Sequence, residues 1–256
     1  MKLTIATLNL NTWINKAKKR IGNEQIWQWA FDNIPSDVYV FTEAQTPPPA
    51  SVTRLGWLVV HRLGGFPGVS GWGTLIAVRP GSGLQLEYLT TIEGRAPYVL
   101  DTAFPGSLTA ANLLHGDRVI ATVVGLYLPY RKDAQKQFIG HPSSDLAMLR
   151  PDFEAILSRY ETPLIVAGDL NYEYSDVPAA LDSLGNRHTR LVDPFQKQNP
   201  LTFEQDWKPH RRFKLDYIYL SGDLAKHVVA QRGGYEDFPT ALQISDHAPL
   251  QVTIAL

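Results

Sequence analysis

Short apolar runs rich in β-branched residues recur along the chain, separated by glycine, proline and asparagine. They are Leu3–Leu10, Val38–Thr42, Trp57–Val60, Thr74–Val78, Leu84–Thr91, Tyr98–Thr102, Val119–Leu128, Leu164–Ala167, Leu215–Leu220 and Leu250–Ile254. This spacing predicts strands, and so many of them predict two packed sheets. Leu164-Ile165-Val166-Ala167 has no alternation, as expected of a central strand covered on both faces. Helical spacing is rarer. Asn23 is placed to cap a helix from Glu24 to Ile34, with Ile26, Trp27, Ala30, Phe31 and Ile34 in register and Pro35 as its stop. A second helix is predicted from Ser143 or Ser144 to Tyr160, with Leu146, Leu149, Phe153, Ile156 and Leu157 along one face and Pro151 as a kink. The expected picture is a β-sandwich with helices outside it.

The length of 256 residues suits one large layered domain, and neither Thr46-Pro47-Pro48-Pro49 nor Gly64–Gly73 is long enough to be a linker. A single domain over 1–256 is expected. The chain has no cysteine, which excludes a disulfide framework, a thiol nucleophile and thiolate metal sites. Lys plus Arg is 24 and Asp plus Glu is 25, so the formal charge is 24 − 25 = −1. No global basic field exists to hold nucleic acid, and any such binding must come from a local patch. The N-terminal Met1–Asn11 stretch reads as a strand, not a signal peptide, and the apolar run at Val119–Leu128 is about half the roughly 20 residues of a membrane span. A soluble, cytoplasmic monomer without a membrane span is expected.

Polar residues interrupt the buried strands at their ends, and they carry the candidate chemistry. The central strand runs into Gly168-Asp169-Leu170-Asn171, where a period of two points Asp169 and Asn171 one way and Leu170 the other. Asn9 and Asn11 stand around Leu10 in the same way, a faint internal echo. Asp216 sits in Leu215-Asp216-Tyr217-Ile218-Tyr219-Leu220, where an uncompensated charge would cost several kcal/mol, so a partner is required. Ile244-Ser245-Asp246-His247 sets an acid beside an imidazole, and Val38–Thr42 ends on Glu43. Taken singly, each Asp or Asn at a strand end is a turn cap. As a set without thiols they suit a hard divalent cation, Mg²⁺ or Mn²⁺, whose natural partner is phosphate.

In this order and rough spacing, Asn9-Leu10-Asn11, Glu43, Gly168-Asp169-Leu170-Asn171, Leu215-Asp216-Tyr217 and Ser245-Asp246-His247 resemble the endonuclease/exonuclease/phosphatase superfamily over residues 3 to 254. The resemblance implies a DNase I-like, four-layer α/β/β/α sandwich of two mixed β-sheets flanked by helices, with its active site at one end of the sheets. It implies that Glu43 is the principal Mg²⁺ ligand, assisted by Asn9 and Asp246. By the same resemblance Asp169 orients and deprotonates the attacking water, Asn171 binds a phosphate oxygen, and His247, held by Asp216, stabilises charge on the scissile phosphate. Tyr127 matches a position near the leaving group. The chain departs from the best-known nuclease branch at Tyr130, where asparagine is common, and at Phe213-Lys214, where tryptophan and arginine are frequent.

Three basic clusters, Lys16–Arg20, Arg131-Lys132 and Lys208–Arg212, are candidates for a substrate groove, with Arg131, Arg212 and the turn residue Asn11 as expected substrate contacts. Trp13, Trp72 and Trp207 are aromatics that would stack on a base if they do not pack in the core. Gly64–Gly73 lacks the Lys-Ser/Thr of a P-loop and precedes a strand, so a hairpin-like connection is expected there. The expected function is Mg²⁺-dependent phosphoester hydrolysis by a nuclease-like phosphodiesterase acting on a phosphoester substrate such as DNA or RNA. The alternative is a phosphatase or phosphodiesterase for an inositol, a lipid head group or another small phosphoester. A catalytically dead binding module is disfavoured because the whole set of site residues is retained.

Overall fold

The structure, a computed structural model, describes residues 1–12, 23–61, 72–89, 106–128, 162–172, 190–205 and 211–256. Among these lie β1 (Lys2–Asn9), β2 (Val38–Gln45), β3 (Leu58–His61), β4 (Trp72–Val78), β5 (Leu84–Tyr88), β6 (Leu108–His115), β7 (Arg118–Tyr127), β8 (Leu164–Asp169), β9 (Leu191–Val192), β10 (Phe203–Glu204), β11 (Arg212–Phe213), β12 (Asp216–Ser221), β13 (Val228–Gly233) and β14 (Leu250–Ala255). Two six-stranded sheets result, in the orders β13-β14-β1-β2-β4-β3 and β5-β6-β7-β8-β12-β9, with β10 and β11 as a separate short pair.

Reading the second sheet backwards gives the same succession of pairings as the first: antiparallel, antiparallel, parallel, antiparallel, antiparallel. The single parallel pair is β1 with β2 in one sheet and β7 with β8 in the other. The Asn9/Asp169 echo in the sequence therefore falls at equivalent places, the carboxyl ends of β1 and β8.

Strand periodicity sorts the side chains into three buried layers. Leu3 and Ile5 of β1, Val38 and Val40 of β2, Ala121 and Val123 of β7, Ile165 and Ala167 of β8, and Ile218 and Leu220 of β12 meet in one cluster between the sheets. The alternate residues of the first sheet, including Leu8, Tyr39 and Phe41, pack with Ile26, Trp27, Ala30 and Ile34 of the Asn23–Asn33 helix region. Leu126, Val166, Tyr217 and Tyr219 form a third cluster on the second sheet. These strands are thus covered on both faces, which is why their sequences lack alternation. The predicted helix before Pro35 is present; the one predicted over 143–160, the strand predicted at Tyr98–Thr102, Trp13, Trp207, Lys16–Arg20 and Arg131-Lys132 lie outside the described residues.

Two long strands differ from the sequence expectation. β6 reads Leu-Thr-Ala-Ala-Asn-Leu-Leu-His, and its alanines and asparagine are poor strand formers that only its position between β5 and β7 makes extended. β13 is an edge strand with an exposed Val229, and it owes its conformation to pairing with β14.

By the same periodicity Thr7 and Asn9, Tyr127, Asp169 and Asp216 continue the inter-sheet face of their strands, so each strand ends on a polar group aimed into the gap. Gly168 makes this possible in β8. It has φ +145°, and a Cβ there would lie 1.8 Å from the carbonyl oxygen of Leu126 on the neighbouring strand. Gly168→Ala is expected to destabilise the fold by about 3 kcal/mol or more, through overpacking together with backbone strain. Urea unfolding of the variant measures this, and a loss below about 1 kcal/mol would contradict the close approach.

Candidate active site

Each polar group at the mouth of the gap is held by a local device of the chain. Asn11, Glu43 and Asn171 all have left-handed backbones, with φ 46°, 45° and 55°. Asparagine tolerates this region because its side chain bonds locally, and the amides of Asn11 and Asn171 donate to Asn9 Oδ1 and Asp169 Oδ1, each at 2.8 Å. The two carboxyl ends thus make the same turn. Glutamate has no such excuse, and Glu43 stands where the β2–β4 register shifts between Phe41 and Ala44. Without that bulge Glu43 would share the helix-facing side of Phe41; the bulge re-aims it. Its Oε1 accepts a 2.9 Å bond from the hydroxyl of Tyr127, on the opposite sheet.

The two sheets are also joined directly, Asn9 Nδ2 donating to Asp169 Oδ2 at 2.8 Å. Asp216 opens β12 opposite Asp169 on β8, and its Oδ2 lies 2.7 Å from His247 Nδ1. That is the partner the carboxylate required. The other ring nitrogen, Nε2, faces Asp169 Oδ2 at 3.9 Å and Asp246 Oδ1 at 4.0 Å. Ser245 supports the turn, its hydroxyl donating to Asn9 O at 2.7 Å and accepting from the His247 amide at 3.1 Å. Asn11 Nδ2 donates to Asp246 Oδ1 at 2.5 Å, so Asn11 touches an acid of the site.

Electrostatics follow from this crowding. Burial pushes Asp169 well above the usual carboxylate range, against the pull of His247. Burial likewise raises Glu43, opposed by His247 and by hydrogen bonds from Asn9 and Tyr127. For His247, burial lowers the pKa, but Asp216, Asp169 and Asp246 together overcome it and hold the ring at about 10. Without a cation, then, the site gathers protons. Asn11 Oδ1 and Asp216 Oδ1 are buried with no hydrogen-bond partner among the described residues.

This donor set fits a metal ion. Ligand atoms of Asp169, Asp216 and His247 all lie within 4.8 Å of one another. Because Nδ1 is already bonded to Asp216, the imidazole–carboxylate contact also reads as an orienting pair. Glu43, Asp246 and the unused lone pair of Asn9 Oδ1 offer a second, all-oxygen set beside it.

The sequence profile of the Endonuclease/Exonuclease/phosphatase family matches residues 6–247. The chain belongs to that family. Its members are metal-dependent phosphoesterases, and the chain is a phosphoric ester hydrolase. No curated protein matches it in sequence. Among solved structures it is similar to an AP endonuclease from Archaeoglobus fulgidus, with TM-score 0.69 and 17% identity over 99% of this chain and 100% of that one. It is similar to a variant of the 3' phosphatase NExo from Neisseria bound to a product DNA hairpin, with TM-score 0.64 and 16% identity over 99% and 100%. Truncated TDP2 from Caenorhabditis elegans matches with TM-score 0.66 and 13% identity over 100% and 98%. The shared architecture is the DNase I-like fold.

Within this family frame, Asn9, Asn11, Glu43, Tyr127, Asp169, Asn171, Asp216, Asp246 and His247 converge on one end of the inter-sheet gap. Asn171 is committed at present, its Nδ2 donating to Leu128 O at 2.7 Å and to Asp169 Oδ2 at 3.3 Å. Arg212 has partners of its own: Nε donates to Glu204 Oε2 at 2.6 Å, and the guanidinium lies 4.6 Å from the Tyr235 ring centroid. Lys214 is buried and donates to Asp193 Oδ2 at 2.6 Å. Arg131 lies outside the described residues. Sequence reasoning missed Thr202 and Tyr235, whose hydroxyls bond backbone groups of Asp216 and Asp246. An isolated threonine in a loop, or a tyrosine in the one-turn helix Gly234–Asp237, carries no periodic or motif signal.

In cation-free protein, Asp216→Asn is expected to lower the pKa of His247 from about 10. The folded pKa stands above the ordinary 6.5, so the pair's stabilisation is complete below 6.5 and is lost as pH rises toward 10. The variant should flatten that slope. An NMR titration of the His247 ring checks the shift, and a variant still titrating near the wild-type value would show that Asp216 is not its cause.

Proposed function

We propose that the protein is a Mg²⁺- or Mn²⁺-dependent, nuclease-like phosphodiesterase. The observation that carries this reading is the Asp216–His247 pair standing beside Asp169, with Asn9 bridging the sheets to it. Glu43, Asp246 and Asn9 would hold the cation, which when bound neutralises charge on phosphate oxygens. Asp169 takes a proton from the attacking water as its oxygen bonds to phosphorus in line with the leaving oxygen. Burial makes it a stronger base than an ordinary carboxylate. Donation from Asn9 Nδ2 and the Asn171 amide fixes its orientation. The phosphorus–oxygen bond to the leaving group breaks, and the departing oxygen takes up a proton.

His247, kept protonated by Asp216, offers Nε2–H to the charge that develops on the phosphate. Asn171 turns its longer bond, the one to Asp169, toward a phosphate oxygen. Tyr127 orients Glu43 through its hydroxyl. The AP endonuclease and the DNA-bound 3' phosphatase that share the fold support a nucleic-acid substrate.

A second reading, a small phosphoester as substrate, is favoured by the net charge of −1 and by Arg212 and Lys214 already being paired with acids. Binding to duplex DNA at increasing salt discriminates. A nucleic-acid enzyme loses affinity in proportion to the phosphates it neutralises, whereas the small-substrate enzyme shows no such slope.

Turnover is tested on abasic-site duplex, single-stranded DNA, RNA, bis-p-nitrophenyl phosphate and phosphorylated small molecules, with Mg²⁺ or Mn²⁺. Asp169→Asn and His247→Ala are each expected to lower kcat by about 10²–10⁴-fold. Intact activity in both, or no metal-dependent turnover by the wild type on any substrate, would sink the reading. Glu43→Gln should raise the Mg²⁺ concentration needed for half-maximal activity. A divalent cation should also stabilise the wild type against heat more at pH 8 than at pH 5, because it competes with protons for Glu43, whose pKa is raised by burial; equal stabilisation at both would contradict the assigned ligands.

A further inference from the structure

The acid and the imidazole of the Asp216–His247 pair come from different parts of the chain, and one residue bonds the backbone of both segments, through its side chain on the Asp216 side and through its carbonyl on the His247 side. Thr202 is fully buried. Its Oγ1 accepts the amides of Leu215 and Asp216, both at 3.1 Å, which uses the two lone pairs of a hydroxyl. Its own amide donates to Phe213 O at 2.8 Å, and its carbonyl accepts the Ala248 amide at 2.6 Å. One residue further, Phe203 forms a β-bridge with His247, and the Glu204 amide donates to Asp246 O at 3.0 Å. The segment 202–204 therefore pairs with 246–248 across His247 while Thr202 grips the start of β12.

We infer that Thr202 is a positioning residue: it sets the distance between Asp216 and His247 by bonding the backbone on both sides of the pair. This rests on the proposed role of that pair in phosphoester hydrolysis. The physical grounds are the way each segment is anchored. Asp216 is the first residue of β12, and its amide is satisfied by Thr202 Oγ1. His247 follows a turn built by Ser245 and has a single bridge to β10 in place of a ladder. Asp216 stands on the first rung of the β8–β12 ladder, but among the described residues no ladder joins that strand to the His247 segment, so the relative position of the two depends on the clasp. Leu215 O in turn accepts the amide of Leu170, which extends the same chain of bonds to the residue after Asp169. A Val at 202 would keep the shape and leave the buried amide of Asp216 and the partly buried amide of Leu215 without an acceptor.

The test compares Thr202→Val, Thr202→Ser and wild type, each as the full chain, with bis-p-nitrophenyl phosphate or whichever substrate of the panel the wild type turns over. Thr202→Val is expected to lower kcat by about 10- to 100-fold, the scale of a misplacement near 1 Å, with KM changed by less than about threefold. Thr202→Ser, which keeps the hydroxyl, restores kcat to within about twofold of wild type. In the His247→Ala background Thr202→Val costs nothing more, because it acts through the pair. A readout independent of activity accompanies these: the amides of Leu215 and Asp216 exchange with deuterium severalfold faster in Thr202→Val than in wild type or Thr202→Ser. Wild-type kcat in Thr202→Val, equal losses in the Val and Ser variants, additive losses with His247→Ala, or unchanged exchange at both amides would overturn the inference. Should the wild type turn over no substrate, the functional reading fails, and the exchange rates alone decide for or against the clasp.

Discussion

Acids placed at the mouth of an apolar gap must be compensated there, since bulk water cannot reach them and the strands behind them offer only methyl groups. Asp169 and Asp216 have no exposed surface and lie side by side in the β8–β12 register. Two such carboxylates would repel by several kcal/mol in this medium if nothing stood between them. His247 bonds one and faces the other, while Asn9 and the Asn171 amide donate to Asp169. The protonated imidazole, the amide donors and the two carboxyl groups are thus one electrostatic unit. Removing any member changes the protonation of the rest, and a cation entering beside Glu43 and Asp246 would take over charge that protons otherwise carry.

The arrangement of the two sheets explains how so many polar ends reach the same place. Each sheet has one parallel pair at its centre, and the carboxyl ends of those four strands, β1, β2, β7 and β8, lie together at one end of the gap. Asn9 and Glu43 come from the first pair, Tyr127 and Asp169 from the second. The two hydrogen bonds that cross the gap, Asn9 to Asp169 and Tyr127 to Glu43, connect opposite members of this set. Close approach of the sheets is required for both. A Cβ on Gly125 of β7 would lie 2.7 Å from Thr74 and 3.0 Å from Val40 in the facing sheet, so the absence of a side chain there keeps the layers near enough for the polar ends to meet.

The rim has a different logic. Arg211, Arg212 and Lys214 look from the sequence like a basic run, yet each has found a protein partner: the Phe213 ring, Glu204 with Tyr235, and Asp193 with Tyr217. Tyr235, under Arg212, holds the carbonyl of Asp246. In this part of the chain the cations build the support beneath the site, and the polar surface they would have presented to a substrate is correspondingly smaller.

Periodicity was sufficient for most long strands, for the Asn23–Asn33 helix and for the direction in which Asp169 and Asn9 point, because a strand covered on both faces leaves an uninterrupted apolar run and any polar residue at its end stands out. Asp216 could also be read as a charge needing a partner. The sequence alone left β6 and β13 unrecognised, since alanine-rich and exposed edge strands are extended only by their neighbours. It gave no sign that Glu204 pairs with Arg212, because a charge run does not show which acids will fold against it. It held no trace of the β2 bulge that turns Glu43 toward Tyr127, or of Thr202 bonding both sides of the Asp216–His247 pair. Those depend on a register shift between strands or on contacts between residues far apart in the chain, 84 positions in the case of Tyr127 and Glu43. Local patterning therefore determined which residues were polar at buried ends, and tertiary structure decided which of them meet, because distance across a gap between two sheets is a property of packing and not of spacing along the chain.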